Sequence, residues 1–302
     1  KPWVKFGISP FGVWRNANKD PEGSQTHAGQ TNYDDLYADV LLWLKKGWID
    51  YVAPQLYWEF NQHAAPYGVL LDWWAHHAYG RALYIGQGLY RVGSNAAWRD
   101  PHELPDQLTA NRSYPQVDGS IFYSASVFYK YTYGFNDSLK NHFYKYPAII
   151  PRMPWIDSVA PLAPEILSAI PDSDGLRLTW KDGDTSHQTT AYIIYRFRGD
   201  TMGDMNDPKN ILRIINKKFC PDTSCTQSLS DTAFQPDQQY IYTITALDRL
   251  HNESLPGAFI HVPAKDSVLS FLPQNMIKNH SPQLLNIPPQ LMKKIYKHFI
   301  NE

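Results

Sequence analysis

Four short apolar runs recur along the first half of the chain, each followed by a segment with helical spacing. The runs are Lys5–Ser9, Tyr51–Trp58, Ala82–Gln87 and Gly119–Ser124. In Tyr51–Trp58 both alternating sets of positions carry apolar residues, which is typical of a parallel strand that is covered on both faces. The runs therefore predict four strands of a parallel sheet.

Helical patterns separate these strands. Apolar positions recur at helical spacing over 33–44 and 67–79, and further helices are predicted after Asp100 and over 136–144. Repeated strand–helix units indicate right-handed crossovers and a parallel sheet. Four such units are half of what a (β/α)8 barrel requires, so we predict half of a TIM barrel over residues 1–157.

The pattern changes at Ser158, after which short strands alternate apolar and polar residues. Trp180 early and the run Tyr240–Ala246 late are typical of an immunoglobulin-like β-sandwich. Residues 165–263 resemble a fibronectin type III module, and the Ile-Thr-Ala-Leu-Asp run is part of that resemblance. The predicted fold class is thus α/β followed by all-β.

We predict three parts of the chain. Residues 1–157 form half of a TIM barrel, residues 158–264 form a fibronectin type III-like β-sandwich, and residues 265–302 form a tail with one helix. The apolar residues of that helix either dock on the chain's own surface or lie on a membrane surface, beside its lysines.

Composition narrows the classes of function. The chain has 302 residues, 43% hydrophobic residues and a net charge of −1, and it has no long basic run. We therefore expect no nucleic-acid partner. Phe, Trp and Tyr make up 14% of the residues. Such rings suit sugar binding and also the packing of a large core, and both interpretations stay open.

Further features bear on the compartment. The chain has no run of about 20 apolar residues, so we expect no transmembrane segment. It starts at Lys1 and not at methionine, so we expect a processed chain or a fragment, for which a missing signal peptide does not argue against export. Cys220 and Cys225 form either a small local disulfide or two free thiols.

Polar and aromatic side chains follow every predicted strand. Because the carboxyl ends of parallel strands share one edge of a sheet or barrel, these side chains are expected to line one rim. The fourth strand ends in Tyr123, Ser124 and Ser126, of which we take Ser124 as a candidate. The candidates for substrate binding are Arg15, Gln55, Tyr57, Trp58, Gln87, Tyr90, Arg91 and Ser124. Amides, arginines and aromatic rings with few acids suit a hydroxyl-rich ligand, so we expect a polysaccharide or an oligosaccharide.

Acids at the strand ends are scarce. Glycoside hydrolysis commonly uses two carboxyl groups, and only Glu59 follows a predicted strand directly. Glu59 is therefore the candidate catalytic residue, with a sugar-contacting or solvated acid as the alternative. His76 and His77 are adjacent in a predicted helix and point in different directions, so we expect no metal site and no cofactor.

The first 157 residues resemble one bacterial protein family. The segments that carry the resemblance are KFGISPFGVWRN, YVAPQLYWEF, ALYIGQGLYRVG, GSIFYSASVF and PAIIPRMPW. They are similar to the second half of the barrel in the family called glycosyl hydrolase-like 10. The resemblance implies a TIM-barrel glycoside hydrolase that is secreted, periplasmic or on the cell surface and in some members acts on cell-wall glycans. The family's acidic Asp-Asp-Tyr motif belongs to the first half, so we expect an incomplete acid pair in this chain.

Two functions therefore stay open. The chain is part of a glycoside hydrolase, or it is a non-catalytic protein that binds carbohydrate or serves as a scaffold. Half a barrel would also expose two strand edges and an apolar inner face. A second copy, upstream chain or, in part, the tail over 265–302 would cover them, and for a chain that begins near Lys1 we expect a homodimer.

Overall fold

The computed structural model describes residues 1, 3–183, 188–219 and 226–264. They form two compact units, Lys1–Ser158 and a second unit that begins at Val159. This division lies one residue from the boundary expected from the sequence. Cys220, Cys225 and the tail from 265 lie outside the described residues, so the interpretations of the cysteine pair and of the tail helix stay predictions.

The first unit alternates short strands with short helices. In chain order the elements are β1 (Gly7–Ile8), α1 (Asn32–Leu36), α2 (Val40–Lys45), β2 (Tyr51–Val52), β3 (Gln55–Leu56), α3 (Tyr67–His76), β4 (Ala82–Gln87), α4 (Ala96–Arg99), α5 (Glu103–Arg112), β5 (Val117–Phe122) and α6 (Phe135–Ser138). Two short 3-10 helices cover Leu89–Arg91 and Ala125–Tyr129, and a short π-helix covers Leu139–Phe143.

The strands of the first unit form one parallel sheet in the order of the chain. β1 pairs with β2, both β2 and β3 pair with β4, and β4 pairs with β5. Since β2 and β3 are two parts of one strand, the sheet has four consecutive parallel strands, each connected to the next through helices. This is the arrangement of four units of a (β/α)8 barrel, and it confirms the predicted fold class.

Helices cover one face of this sheet. A continuous core joins that face to α2 and α3, and its members from strands and helices include Val40, Leu41, Leu44, Val52, Leu56, Leu70, Trp74, Leu83 and Ile85. The other face carries Tyr51 and Tyr84, whose rings meet edge to face at 5.8 Å. On β5 the side chain of Ile121 is 46% exposed. The two faces therefore differ, with a helix-covered outer side and a more open inner side.

Two predicted elements are interrupted in the structure. The single helix predicted over 33–44 is two helices, because Tyr37 adopts a left-handed conformation (φ 53°) that ends α1, and the Asp39 carboxylate caps α2 by accepting from the Leu42 N–H. The strand predicted over 51–58 is broken at Pro54, which has no N–H to donate to a ladder. The helix predicted to begin after Asp100 starts only at Glu103.

The second unit is an antiparallel β-sandwich. Its strands are β6 (Glu165–Asp172), β7 (Gly175–Lys181), β8 (Ala191–Arg198), β9 (Ile211–Asn216), β10 (Thr226–Asp231), β11 (Tyr240–Leu247) and β12 (Ile260–Val262). They form two sheets in the orders β10-β7-β6 and β12-β11-β8-β9. Trp180 of one sheet packs against Tyr192 of the other at 5.4 Å, in a shared core. The predicted sandwich is confirmed.

A buried carboxylate connects the two sheets of the sandwich. Asp231 of β10 has a side chain that is 1% exposed, and it accepts hydrogen bonds from the Tyr242 hydroxyl (2.8 Å) and the Arg196 guanidinium (2.7 Å) of the opposite sheet. Burial raises the pKa of Tyr242, so the hydroxyl stays a donor.

Among the described residues, no helix has the length and apolar character needed to cross a bilayer.

Candidate functional site

Three tyrosines meet where strands of the parallel sheet end. Tyr57 follows β3, Tyr90 lies in the turn after β4, and Tyr123 follows β5. The ring centroids are 5.6 Å apart for Tyr57 and Tyr90, 6.0 Å for Tyr57 and Tyr123, and 5.9 Å for Tyr90 and Tyr123. Tyr90 is 46% exposed and Tyr123 is 58% exposed. We call these three residues the tyrosine cluster.

Backbone hydrogen bonds fix the tyrosine cluster. The Tyr123 N–H donates to the Gln87 carbonyl and the Tyr90 N–H donates to the Tyr123 carbonyl, both at 3.0 Å. Burial raises the pKa of the Tyr57 hydroxyl, and the hydroxyls of Tyr90 and Tyr123 add to the effect. The cluster is therefore a partly exposed aromatic surface in which the Tyr57 hydroxyl stays a donor.

Arg91 adjoins this surface. At Gly88 the position that a Cβ would occupy is 3.1 Å from Cα and Cβ of Tyr57 and 3.2 Å from Cγ of Arg91, so the stem of Arg91 passes beside Tyr57. The Arg91 Nε is buried and has no hydrogen-bond partner. Within the described part of the chain, the Arg91 guanidinium forms neither an ion pair nor a hydrogen bond.

Arg15, also predicted to bind substrate, is engaged inside its own loop. Its guanidinium donates two hydrogen bonds to Asp34, at 2.8 and 3.1 Å, and one to Asp20, at 2.9 Å. It also lies 4.5 Å from the ring centroid of Tyr33. The Asp34 carboxylate and then Asp20 raise the pKa of Arg15. The structure thus gives Arg15 a structural role and does not bring it to the tyrosine cluster.

Glu59 holds a neighbouring segment in place. One carboxylate oxygen accepts from the Trp98 indole N–H at 3.0 Å, and the other accepts from the Asn95 amide at 3.4 Å. Asn95 also caps α4 by accepting from the Trp98 backbone N–H. These two hydrogen bonds anchor residues 95–98 to the end of β3. Glu59 is half-buried, and its catalytic role stays a prediction.

A second carboxylate, Glu103, lies near Glu59 and was not among the predicted site residues. Its Oε1 accepts from the Phe60 N–H at 3.0 Å and from the Gln107 amide at 2.8 Å. Burial raises the pKa of Glu103, and the charge of Glu59 contributes. One sequence signal could have identified Glu103 as a candidate. Glu103 and Gln107 are polar residues four positions apart, so they share one face of α5.

Gln87 does not line the rim as predicted. It is fully buried and its amide donates to the Tyr67 hydroxyl at 2.7 Å, which in turn donates to Asn111 at 2.7 Å. Gln87 lies on the same face of β4 as Leu83 and Ile85 of the core, because side chains two positions apart share a face, and so it faces the helices and not solvent. In this structure Gln87 supports the strand end beneath the cluster and cannot contact a ligand directly.

The remaining candidates lie in different surroundings. The Gln55 amide donates to the Ser9 carbonyl at 2.9 Å and so joins the ends of two strands. Trp58 packs against the core of the first unit, and its ring approaches Gly12 so closely that a Cβ there would lie 2.6 Å away. Ser124 directly follows Tyr123, and its hydroxyl lies 2.9 Å from that of Ser126. Trp58 and Ser124 are thus each adjacent in sequence to a member of the tyrosine cluster.

The first unit is similar to one protein family and to curated proteins of two bacteria. The profile of the family "Glycosyl hydrolase-like 10" matches residues 1–102. The chain is 43% identical over 261 residues to "Glycosyl hydrolase YngK" of Bacillus subtilis, covering 84% of this chain and 49% of that protein. It is 43% identical over 132 residues to "Glycosyl hydrolase DigH" of Escherichia coli, covering 41% of this chain and 30% of that protein.

A solved structure also matches part of the chain. It is the crystal structure of a Fn3-like protein from Clostridium thermocellum, 21% identical, with 35% of this chain and 94% of that one covered at a TM-score of 0.22. The evidence for the sandwich is the strand order of the second unit. The chain spans half or less of the length of the two curated relatives. The resemblance seen in the sequence is confirmed, and the match to the glycosyl hydrolase-like 10 family spans residues 1–102.

Proposed function

We propose that this chain is part of a glycoside hydrolase that acts on a polysaccharide, and that the tyrosine cluster holds the sugar chain. The observation that carries the proposal is the position of the cluster. Three tyrosines converge at the carboxyl ends of parallel strands, where barrel enzymes bind their substrates, and two of them, Tyr57 and Tyr90, lie in the segment that matches a glycosyl hydrolase-like family.

The chemistry of the cluster fits a sugar. A tyrosine offers an apolar ring face to the C–H groups of a pyranose and a hydroxyl to its O–H groups. Tyr57 and Tyr123 are nearly parallel, at 19° between their planes, while Tyr90 is steeply inclined to both. The exposed parts of Tyr90 and Tyr123 therefore present differently oriented surfaces, which suits a ligand with several rings.

The substrate and the cellular location are inferred from the relatives. Both named relatives are bacterial proteins called glycosyl hydrolases. We propose a bacterial cell-wall glycan as the substrate and a secreted, periplasmic or cell-surface location, where such a glycan is accessible. Glu59 is the proposed catalytic carboxylate, because it directly follows the rim of β3 and lies near a second acid, Glu103.

A specific observation favours the second candidate function, carbohydrate binding without hydrolysis. Both carboxylate oxygens of Glu59 accept hydrogen bonds from protein groups, as a structural acid would. The two candidates share the tyrosine cluster and differ in turnover. Measuring product release and binding on the same preparation therefore separates them.

Binding is tested with two tyrosine variants. Truncating an anchor residue of an interface commonly costs about 2 kcal/mol, roughly 30-fold in affinity. We expect Tyr90→Ala and Tyr123→Ala each to weaken binding to bacterial cell-wall polysaccharide to about that extent, with thermal stability nearly unchanged because both side chains are exposed. The control is Trp48→Ala, which removes a 62% exposed ring ahead of β2, at the opposite end of the strands. Equal losses in all three variants would contradict the proposed site.

The homodimer stays a proposal. Each outer strand, β1 and β5, pairs on one side only among the described residues, and Ile121 on the inner face is 46% exposed. A second copy would cover these features. We expect light scattering on the 302-residue chain at micromolar concentration to give twice the mass of 34.7 kDa. A stable monomer would show that the sheet does not need a second copy.

A further inference from the structure

We propose that Arg91 binds a carboxylate on the glycan, so that the substrate of this site is an acidic polysaccharide and not a neutral one. The inference rests on the proposed function, because it assigns a chemical class to the ligand of the tyrosine cluster. It is carried by the surroundings of Arg91 and by a comparison with the arginine that was predicted to share its role.

The first observation is that Arg91 has no counter-ion within the described part of the chain. Its Nε is buried without a partner, and its side chain is only partly exposed. A guanidinium offers five N–H donors in a planar fork and stays charged at any accessible pH. Removing such a group partly from water without a partner is unfavourable. An arginine kept in this state is prepared for an external acceptor.

The second observation is that the nearby acids are already used. Glu59 accepts from Trp98 and Asn95 with its two oxygens, and Glu103 accepts from Phe60 and Gln107. Neither carboxylate lies within ion-pair distance of the Arg91 guanidinium. The charge of Arg91 is therefore left for a ligand, in contrast to Arg15, which two carboxylates neutralise.

The third observation is the position of Arg91 beside the sugar-binding surface. Its Cγ and the Cα and Cβ of Tyr57 lie within 3.2 Å of the same point above Gly88. Arg91 also directly follows Tyr90 in the chain, and in the proposed complex its guanidinium contacts a sugar ring that lies on the tyrosine cluster. A carboxylate on that ring is the group that matches the fork, because it can accept two parallel N–H···O bonds.

The experiment uses one polysaccharide in two forms. A bacterial cell-wall polysaccharide fraction is used as isolated and after carbodiimide–borohydride reduction, which converts carboxylates to alcohols and leaves phosphate and sulfate esters in place. Binding of both forms is measured with wild-type protein, Arg91→Gln and Arg91→Lys. Arg99→Gln is the matched control, since it removes the same charge from an exposed arginine in α4.

Wild-type protein and Arg99→Gln are expected to bind the untreated form about 10- to 100-fold more tightly than the reduced form, the range for a hydrogen bond between charged groups. Arg91→Gln should bind both forms equally, at the level of wild-type protein with the reduced form. Arg91→Lys, which keeps the charge and loses the fork, should lie between them. Unfolding curves verify that each variant is folded.

The contrary outcomes are distinct. Equal binding of both forms by the wild-type protein, with the same affinity in Arg91→Gln and a dependence on Tyr90, would overturn the role of Arg91 and leave the sugar-binding site intact. Equal binding of both forms by the wild-type protein, with weaker binding of both by Arg91→Gln, would identify a phosphate or sulfate and overturn the carboxylate. If wild-type protein binds neither form, the proposed function itself is wrong.

Discussion

Two loop regions at the same edge of the parallel sheet use the same residue types in opposite ways. In the loop after β1, Arg15 lies over Tyr33 and is paired with Asp20 and Asp34. In the turn after β4, Arg91 lies beside Tyr57 and has no partner among the described residues. Both arginines follow a parallel strand, and of the two the first is paired with carboxylates of the chain.

The acids of the two regions explain the difference. Glu22 of the first loop pairs with Lys45, and the lysine lowers the pKa of Glu22. Glu103 of the second region accepts from neutral donors, and burial raises its pKa. In the first loop Arg15 and Glu22 are thus each paired with an opposite charge, whereas in the second region Glu103 accepts from neutral donors and Arg91 has no partner among the described residues. Unmatched groups near an aromatic surface are typical of functional sites.

The largest expected effect concerns Glu59. If it supplies acid/base catalysis at the second region, Glu59→Gln should lower turnover of the glycan by about 10²–10⁴-fold, measured as released reducing ends. The control is Trp98→Phe, which removes the indole donor and leaves the carboxylate in place. A structural role alone would give both variants similar losses of stability and similar, small losses of turnover.

The next largest effect is expected on the stability of the loop after β1. Buried Asn32 accepts from the Phe11 N–H and donates to the carbonyls of Phe11 and Val13. Asn32→Ala leaves these backbone groups without partners, so we expect a loss of about 2–4 kcal/mol in the free energy of unfolding. Exposed Asn18 of the same loop is the control, and Asn18→Ala should be neutral in the same denaturant titration. Unchanged stability in Asn32→Ala would show that the loop is not held by this side chain.

A smaller effect distinguishes the two arginines directly. Arg15→Gln is expected to lower the melting temperature by a few degrees and to leave glycan affinity per folded molecule unchanged, because its contacts are internal. Arg91→Gln is expected to lower glycan affinity and to leave the melting temperature nearly unchanged. Calorimetry and a binding titration on the same samples test the pair, and a loss of affinity in Arg15→Gln would place the first loop in the site.

The smallest effect is a dependence on pH. Because the folded-state pKa of Glu103 is raised from its ordinary value of 4.5, its favourable contribution is present below about pH 4.5 and is lost as pH rises through the folded-state pKa. Glu103→Gln keeps the acceptor oxygen and should gain stability relative to wild type between pH 4 and 7. Glu22→Gln should show the opposite sign, since the Glu22 pKa is lowered. Melting temperatures measured against pH would reveal parallel curves if neither shift is real.

Much of the fold was predictable because it depends on local patterns. Apolar runs identified the four parallel strands, and alternation around Trp180 and Tyr242 identified the sandwich. The break at Tyr37 was not predictable, since a left-handed tyrosine has no sequence signal. The burial of Gln87 was predictable, because period two places it on the same face as Leu83 and Ile85.

The site was less predictable because it depends on contacts between distant residues. Arg15 meets Asp34 across 19 positions, and Glu59 meets Trp98 across 39. Local spacing rules do not reach so far. The sequence could identify residues at strand ends, but whether a charge there is satisfied by the protein is decided only when the loops pack together.

Gly88 gives the site an unusual profile in a mutational scan. Its φ is −79°, which any residue can adopt, so the backbone itself demands no glycine. The demand comes from space, because any Cβ would lie 3.1 Å from Tyr57 and 3.2 Å from Arg91. Substitutions at position 88 should therefore lower glycan binding by displacing Tyr57 or Arg91, although residue 88 has no side chain to offer a ligand.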